Sequence, residues 1–250
     1  MARLTVLAAG ALVVLAGACG SSSRPTRAAR SRAATTTTGS PLAATTTSTP
    51  VPTSIVAQAV GPSVGVYDSP AAAAPARALA NPQPSGAPLV FLVRERHPDW
   101  LRVLLPVRPN GSSGWVRAAD VRLSEHDFRI LIELGAHRIT VYEGAGVIDQ
   151  EPIGVGTHDT PTPGGLYYTK ELLQPPNPNG PYGPYAYGLS GFSDVLPNFA
   201  GGEGVIGIHG TNDPSALGRD VSHGCIRMSN AGITKLARIL PLGVPVEIRP

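Results

Sequence analysis

The chain has 250 residues, 42% of them hydrophobic and 5% aromatic, with 29 glycines and 26 prolines. This composition allows one or two small, turn-rich domains but not a core that runs through the whole length. The formal net charge is +3, yet five basic and no acidic residues precede residue 61, which leaves 15 basic against 17 acidic residues beyond it. Because that part carries about −2 and no basic stripe with interleaved aromatic residues, nucleic acid is excluded as the expected partner.

The first 18 residues predict an export signal. Arg3 is followed by an apolar run over residues 4–18, in which Thr5 is the one polar residue. This run is shorter than the roughly 20 residues that cross a bilayer, and it has the proportions of a signal-peptide core. No later segment is long and apolar enough to cross one, so we expect only this end to hold the protein at a membrane.

The small residues of "AGA" at 16–18, directly before Cys19, resemble a bacterial lipobox, although the position of Ala16 is usually Leu. This resemblance implies a lipid on Cys19 and a location on the outer face of the cytoplasmic membrane. The alternative is an ordinary signal peptide cleaved at the same place. In both cases Cys19 is a poor disulfide partner, so Cys225, the only other cysteine, is left as a free thiol or as half of an intermolecular bridge.

Residues 19–62 predict a disordered tether. Serine, threonine, alanine and proline dominate this segment, as in "AATTTTGSPLAATTTSTPVPTS". Such a composition cannot bury enough apolar area to fold.

Residues 63–123 predict a small barrel. Short β-like runs alternate with turn clusters, among them "VGVY", "PLVFLVRE", "DWLRVLLPV" and "SGWVRAADV". Together these runs resemble a bacterial SH3-like domain, whose last strand often carries a Trp-Val pair. Trp100 and Trp115 have an alternative explanation as plain core residues.

Residues 128–249 predict a second, β-rich domain with longer strands. Strand-like runs occur at "FRILIEL", "RITVYEG", "VIDQEPIGVGT", "GLYYTKELL", "GVIGIHG" and "VPVEI". A helix is predicted to begin with Ser229 or Asn230 as its N-cap and to end at Pro241. Its apolar positions recur at helical spacing: Ile233, Leu236, Ala237 and Leu240.

The segment "QPPNPNGPYGPYAYGLSGF", residues 174–192, predicts a loop that covers a site. Three of its tyrosines, Tyr182, Tyr185 and Tyr187, are candidate substrate contacts. They would equally serve as packing residues.

Cys225 follows His209 by 16 residues, in a segment that lies between a predicted strand and the predicted helix. A thiol attacks carbonyl groups only as its thiolate, so it needs a nearby base, which His209 would supply. The backbone N–H groups of "SHGC", around His223, Gly224 and Cys225, would converge on an oxyanion. Two alternatives stay open at this point: a buried structural cysteine with a core histidine, and a zinc site of His209, His223 and Cys225.

The segment "IGIHGT … SHGCIRMSN" resembles the catalytic signature of the L,D-transpeptidases (YkuD domain), and "GVGTHDTPTPGGLYY" and "GPYGPYAYGLSGFS" are similar to other parts of that domain. The resemblance covers about residues 128–249. It implies a mainly β protein, in which a small SH3-like barrel precedes a β-rich catalytic domain with one or two helices, and it implies neither cofactor nor metal.

Position by position, the resemblance implies that Cys225 is the nucleophile and His209 the base. The rest of the signature box, with oxyanion or substrate-binding roles, is Ser222, His223, Gly224 and Arg227, and Tyr187 of the covering loop joins them as a substrate contact. Arg227, which is Asn in some members, would hold a substrate carboxylate.

The activity implied for the family is formation of 3→3 cross-links between peptidoglycan stem peptides through a cysteine thioester. Two alternatives remain: an L,D-carboxypeptidase that uses the same thiolate with water, and a catalytically inactive lipoprotein that binds the cell wall. Carbapenems, whose strained ring mimics the acyl donor, are expected to acylate Cys225.

Overall fold

The computed structural model describes residues 53–198 and 202–250, which form a mainly β protein, as predicted. The predicted signal peptide, Cys19 and most of the predicted tether lie outside the described residues. Residues 48–250 belong to one compact unit, so the sheets below are parts of a single body.

Between residues 53 and 126 the structure describes seven strands. They are β1 (Ser54–Ala59), β2 (Ser63–Val66), β3 (Arg77–Ala80), β4 (Val90–Arg96), β5 (Trp100–Leu104), β6 (Ser113–Arg117) and β7 (Val121–His126). Five of them form an antiparallel sheet in the order β6-β5-β4-β1-β7, while β2 pairs with β3. A bridge between Tyr67 and Trp115 joins the end of β2 to β6. A short 3₁₀ turn, Ala118–Asp120, connects β6 to β7.

Strand β1 corrects the predicted boundary of the tether at residue 62. It lies between β4 and β7, and Val56, Ala57 and Ala59 are buried. Position in the middle of a sheet explains why this short stretch is ordered, since both of its edges are paired. The sequence signal was weak because serine, threonine and proline surround it.

Ten strands and one helix follow in the described residues. The strands are β8 (Phe128–Glu133), β9 (Arg138–Glu143), β10 (Gly146–Pro152), β11 (Val155–Gly156), β12 (Gly165–Leu173), β13 (Ala186–Phe192), β14 (Val205–His209), β15 (Asp220–Ser222), β16 (Ile226–Arg227) and β17 (Pro245–Arg249), and the helix is α1 (Asn230–Ile239). A 3₁₀ turn spans Pro214–Ala216.

Eight of these strands form one sheet in the order β10-β9-β8-β17-β12-β13-β14-β16, and β11 pairs with β15. The pairs β8 with β17 and β14 with β16 are parallel, and the other neighbours in the sheet are antiparallel. One hydrophobic cluster packs against α1 and includes residues from nearly every strand of this sheet.

The predicted helix is confirmed with its cap. The Ser229 hydroxyl accepts a hydrogen bond from the Gly232 N–H at 2.9 Å, and Ile233 and Leu236 face the core. Among the described residues, no helix has the length and apolar character required to span a bilayer.

The predicted loop 174–192 is wrong in its second half. Residues 186–192 form β13, in the middle of the sheet between β12 and β14. Three glycine and serine residues in "YGLSG" obscured the strand in the sequence. They are tolerated there because neighbouring side chains lie over the glycines, as Glu171 does over Gly188.

The two sheets share buried contacts. Tyr168 of β12 is 0% exposed and packs with Val56, Val90 and Leu92 of the first sheet, and its hydroxyl donates to the Val90 carbonyl at 3.0 Å. The Arg108 guanidinium adds hydrogen bonds to backbone carbonyls of the second part, including Ser193 O at 2.8 Å. The residues before 127 therefore stabilise the domain that follows.

We expect Tyr168→Phe to lower the free energy of unfolding by about 1–2 kcal/mol, because it leaves the buried Val90 carbonyl without a donor. Chemical denaturation of both proteins measures the difference. Tyr142→Phe is the matched control, since the Tyr142 hydroxyl forms no hydrogen bond within the described residues. Equal losses in the two variants would show that the contact between the sheets adds nothing.

Candidate active site

The candidate site is built on four neighbouring strand positions. Glu171 pairs with Gly188, and Gly188 pairs with Gly207. Ile208, which follows Gly207 on β14, pairs with Ile226 of β16. This pairing places Cys225, the residue before Ile226, beside Gly207.

Directly paired residues share one face of a sheet and successive residues alternate between faces. Ile208 and Ile226 are 0% exposed and belong to the core. Gly207, His209 and Cys225 consequently lie on the opposite face. The register of β14 and β16 thus brings the predicted base and nucleophile to the same side.

A tight turn holds Cys225. The Ser222 hydroxyl donates to the Cys225 carbonyl at 2.6 Å and accepts from the Gly224 N–H at 3.1 Å. Gly224 has φ +113°, a backbone conformation that favours glycine. The Thr160 hydroxyl supports the turn from outside by donating to the Ser222 carbonyl at 3.0 Å.

This turn changes the predicted roles of two residues. The Ser222 side chain is buried and its hydroxyl is engaged within the turn, where it positions Cys225. The Gly224 N–H is already donated to Ser222 and is unavailable to an oxyanion. The Cys225 N–H has no acceptor among the described residues, and it is the amide that remains for this role.

His209 is held in one tautomer. It is 4% exposed, and its Nδ1 lies 2.6 Å from the Gly210 carbonyl oxygen. Because a carbonyl only accepts hydrogen bonds, Nδ1 carries the proton, and Nε2 is left as the proton acceptor. The Tyr182 ring packs edge-on against the imidazole, with centroids 4.9 Å apart.

Burial keeps both members of the pair neutral. The pKa of His209 is lowered to about 4, mainly by desolvation; the hydrogen bond to Gly210 opposes this shift, and the positive charge of Arg227 adds a smaller lowering. Desolvation raises the pKa of Cys225, although the backbone of Gly207 and the charge of Arg227 act in the opposite direction. The free site therefore contains a thiol and a neutral imidazole, and the thiolate forms when the proton moves during the reaction.

Arg227 supplies a positive charge beside the nucleophile. Its backbone is fixed by two hydrogen bonds with Gly154, both 2.8 Å. Its guanidinium Nε is buried and has no hydrogen-bond partner among the described residues. An unpartnered, buried guanidinium next to a cavity is suited to a carboxylate ligand.

Two cavities meet at this pair. One, of about 260 Å³, is lined by Pro181, Tyr182, His209, Ser222, His223, Cys225 and Arg227. The other, of about 700 Å³, extends along β12 and β13 and also reaches Tyr182, His209 and Cys225. The Tyr182 side chain lines both cavities, as His209 and Cys225 do.

The structure thus brings together Cys225, His209, Ser222, His223 and Arg227, which were predicted to share one site. Among the described residues, no group of three or more His, Cys, Asp or Glu side chains is arranged to hold a metal ion. Cys225 is in the free thiol state.

The substrate contact predicted for Tyr187 stays a prediction, although the structure packs this residue into the core. Tyr187 is 0% exposed, and its hydroxyl donates to the carbonyls of Leu236 and Leu240 in the helical segment. Tyr182 takes the place beside His209 instead. The alternation in "YAYGL" was the signal available, since it puts Tyr185 and Tyr187 on one face of a strand, toward the core.

The family model of the L,D-transpeptidase catalytic domain, YkuD, matches residues 127–248. These residues therefore belong to the YkuD family of L,D-transpeptidase domains. A putative L,D-transpeptidase YkuD of Bacillus licheniformis is 38% identical over 123 residues, which are 49% of this chain and 66% of that protein. The Bacillus subtilis protein of the same name is 37% identical over 121 residues, 48% of this chain and 65% of that protein. The chain thus spans just under two thirds of the length of these curated relatives.

Among solved structures, an L,D-transpeptidase from Mycobacterium smegmatis is 17% identical, with 63% of this chain and 93% of that chain covered and a TM-score of 0.41. A likeness at this TM-score is too weak to support an inference about the site.

In this YkuD-family domain, we expect Ser222→Ala to slow acylation of Cys225 by about tenfold and to lower stability by about 1–2 kcal/mol, because two hydrogen bonds of the turn are lost. The matched control is Ser215→Ala, at an exposed position that also bonds within its own turn. Rapid-mixing acylation and thermal unfolding measure the two effects. A Ser222→Ala protein with a normal acylation rate would show that the turn is rigid without the hydroxyl.

The second expectation concerns pH. His209 acts as a base only when unprotonated, and its pKa of about 4 leaves it unprotonated at pH 5.5, whereas an ordinary histidine would be mostly protonated there. The acylation rate constant should therefore change less than about twofold between pH 7.5 and 5.5. Because a lowered histidine pKa also removes stability as pH falls below about 6.5, near-UV circular dichroism must show a folded protein at each pH. A tenfold fall over this range would contradict the buried, neutral imidazole.

Proposed function

We propose that the protein is a peptidoglycan L,D-transpeptidase that forms 3→3 cross-links between stem peptides through a thioester on Cys225. The observation that carries this proposal is the pair itself. His209 Nε2 is prepared to accept a proton on the same sheet face as the Cys225 thiol, where two cavities meet.

In the first half of the reaction, Nε2 of His209 takes the thiol proton as sulfur attacks the carbonyl of the diamino acid residue in the donor stem. The Gly210 carbonyl, which accepts from Nδ1–H, stabilises the imidazolium that forms. The Cys225 N–H donates to the oxyanion. Imidazolium then returns the proton to the leaving nitrogen of D-alanine as the peptide C–N bond breaks, which leaves the thioester.

Arg227 is suited to the charge of the donor stem. The D-alanine that leaves carries a carboxylate, and the buried Nε beside Cys225 has no partner among the described residues. A bound carboxylate would satisfy this donor and place the scissile bond near the sulfur.

In the second half, the side-chain amine of another stem attacks the thioester carbon. His209, neutral again, accepts a proton from the attacking nitrogen, the C–S bond of the thioester breaks, and the imidazolium returns that proton to the leaving thiolate, which regenerates the thiol. The two cavities that both reach Tyr182 and Cys225 offer donor and acceptor separate spaces next to the same sulfur. Tyr182 limits the entry of water, which favours an amine acceptor over hydrolysis.

The location and anchoring of the protein form part of the same proposal. Stem peptides lie outside the cytoplasmic membrane, which agrees with the predicted signal at residues 1–18 and with a lipid on Cys19. The predicted SH3-like domain, residues 63–123, would hold the catalytic domain against the wall as well as stabilise it. Mass spectrometry of the membrane-bound protein tests the lipid on Cys19.

Incubation of the chain from residue 20 onward with disaccharide tetrapeptides tests the activity, with product masses read by mass spectrometry. Dimers that have lost one D-alanine are the expected product. Tripeptides alone would show the L,D-carboxypeptidase reaction, with water as acceptor. Unchanged tetrapeptides from a folded protein would favour the inactive wall-binding lipoprotein.

We expect Cys225→Ser to abolish dimer formation, because a hydroxyl has a much higher pKa than a thiol and the same imidazole cannot activate it. His209→Ala should lower the rate of acylation by about 10²- to 10⁴-fold, the range for loss of a general base. His97→Ala, at an exposed histidine of the first sheet, serves as the control and should leave the rate unchanged. Full activity of the serine variant, or a loss of less than about threefold on removal of His209, would contradict these roles.

A further inference from the structure

Beyond the nucleophile and base, the larger cavity contains an ion pair that the reaction described above does not use. The Lys170 Nζ lies 2.7 Å from Oε1 of Glu171, and the two side chains are only 12% and 8% exposed. Glu171 lines the cavity of about 700 Å³ that ends at Cys225, and Lys170 does not. The Glu171 carboxylate thus faces the cavity, and the ammonium group of Lys170 contacts it from outside the cavity lining.

The carboxylate has one oxygen available for a ligand. Within the described part of the chain, Lys170 is its polar partner and contacts Oε1. Lys170 is held in turn by the Gln83 side-chain oxygen at 3.3 Å, and the Gln83 amide donates to the Lys170 carbonyl at 3.0 Å. Oε2 of Glu171 is therefore left to accept a hydrogen bond inside a largely desolvated cavity, where an ion pair with a ligand is strong.

The positions between Glu171 and Cys225 are occupied by glycines. Glu171, Gly188 and Gly207 form one cross-strand row that continues to Cys225. A Cβ added at Gly188 would overlap Oε1 of Glu171, which shows that the carboxylate lies over β13. The two central positions of the row, Gly188 and Gly207, have no side chains, so backbone atoms form this surface of the cavity, called the floor below.

The length of this floor selects a ligand. Two strand spacings separate β13 from β16, which puts the carboxylate about 10 Å from the Cys225 sulfur. In a donor stem attached to that sulfur, an extended diamino acid side chain places its terminal nitrogen roughly 8–9 Å from the sulfur. An ammonium–carboxylate hydrogen bond adds about 2.8 Å, so a slightly bent side chain spans the gap.

We propose that Glu171 is the specificity-determining residue for the donor, and that it binds the side-chain ammonium of the diamino acid whose carbonyl Cys225 attacks. This inference rests on the proposed function, because it needs an acyl donor on Cys225. The group bound is the ammonium of the donor and not that of the acceptor, since an attacking amine must reach the thioester carbon next to the sulfur. Lys170 and Gln83 position the carboxylate, and through Gln83 the connection between β3 and β4 takes part in donor recognition.

Two soluble donor tetrapeptides, identical except at one atom group, test the proposal. One carries the free side-chain amine of its third residue, and in the other that amine is acetylated. Acylation of the chain from residue 20 onward by each donor is followed by release of D-alanine, which yields KM and kcat separately. The wild-type protein should show a KM about 10- to 100-fold lower for the free amine, the range of one charge-assisted hydrogen bond in a desolvated site.

Glu171→Gln should remove most of this preference by raising KM for the free amine, with less than about a twofold change for the acetylated donor. Glu125→Gln makes the same chemical change at an exposed position of the first sheet and should retain the full preference. Because Glu171→Gln leaves a buried lysine unpaired, the double variant Lys170→Met, Glu171→Gln is tested beside it. It should be folded and should likewise lack the preference.

The outcomes separate this inference from the proposed function. A carbapenem has no diamino acid side chain, so acylation of Cys225 by it reports the nucleophile alone. If the carbapenem adduct forms and the wild-type protein treats the two donors equally, or if Glu171→Gln keeps the preference, the role of Glu171 is refuted and the proposed function stands. If neither the carbapenem nor either donor acylates a folded wild-type protein, the proposed function itself fails, and the inference fails with it.

Discussion

The parallel pairing of β14 with β16 is the constraint on which the site depends. Ile208 and Ile226 are paired and fully buried, and their burial fixes which face of each strand points into the core. His209 and Cys225, each one residue away from this pair, then face the opposite side. A shift of one residue in this register would exchange the faces and bury the nucleophile in the core. Hydrophobic packing on the core face of the sheet thus determines which side chains lie together on the opposite face.

Burial has a second consequence at the same place. A desolvated imidazole with a pKa of about 4 and a thiol with a raised pKa form a neutral pair. In the proposed mechanism the charge arises only during the reaction, when the Gly210 carbonyl already accepts from Nδ1–H of His209 and the Cys225 N–H has no other acceptor among the described residues. A preorganised environment of this kind lowers the barrier without the cost of holding two buried charges in the free protein.

The mainly β fold and the proximity of Cys225 and His209 were predicted more accurately than the surroundings of these two residues. The helix at Asn230–Ile239 and most strands were visible because their apolar residues recur at regular spacing. Strands β1 and β13 were missed because their burial comes from neighbours distant in sequence and not from their own composition. Tyr187 was assigned to the site and Tyr182 was not favoured, since only the pairing of β13 reveals which tyrosines face the core. The turn in which the Ser222 hydroxyl accepts from the Gly224 N–H could not be predicted from the sequence either. It depends on the position of that hydroxyl and on the positive φ of Gly224.

The most direct test of the central claim, a thioester on Cys225, is the intact mass of the protein during reaction with a donor tetrapeptide and no acceptor. The account predicts a transient gain equal to the donor minus D-alanine, located by peptide mapping on the peptide that contains Cys225 and removed by neutral hydroxylamine, a nucleophile that cleaves thioesters. Release of D-alanine without any adduct at early times, in a folded protein with an intact Cys225, would contradict it.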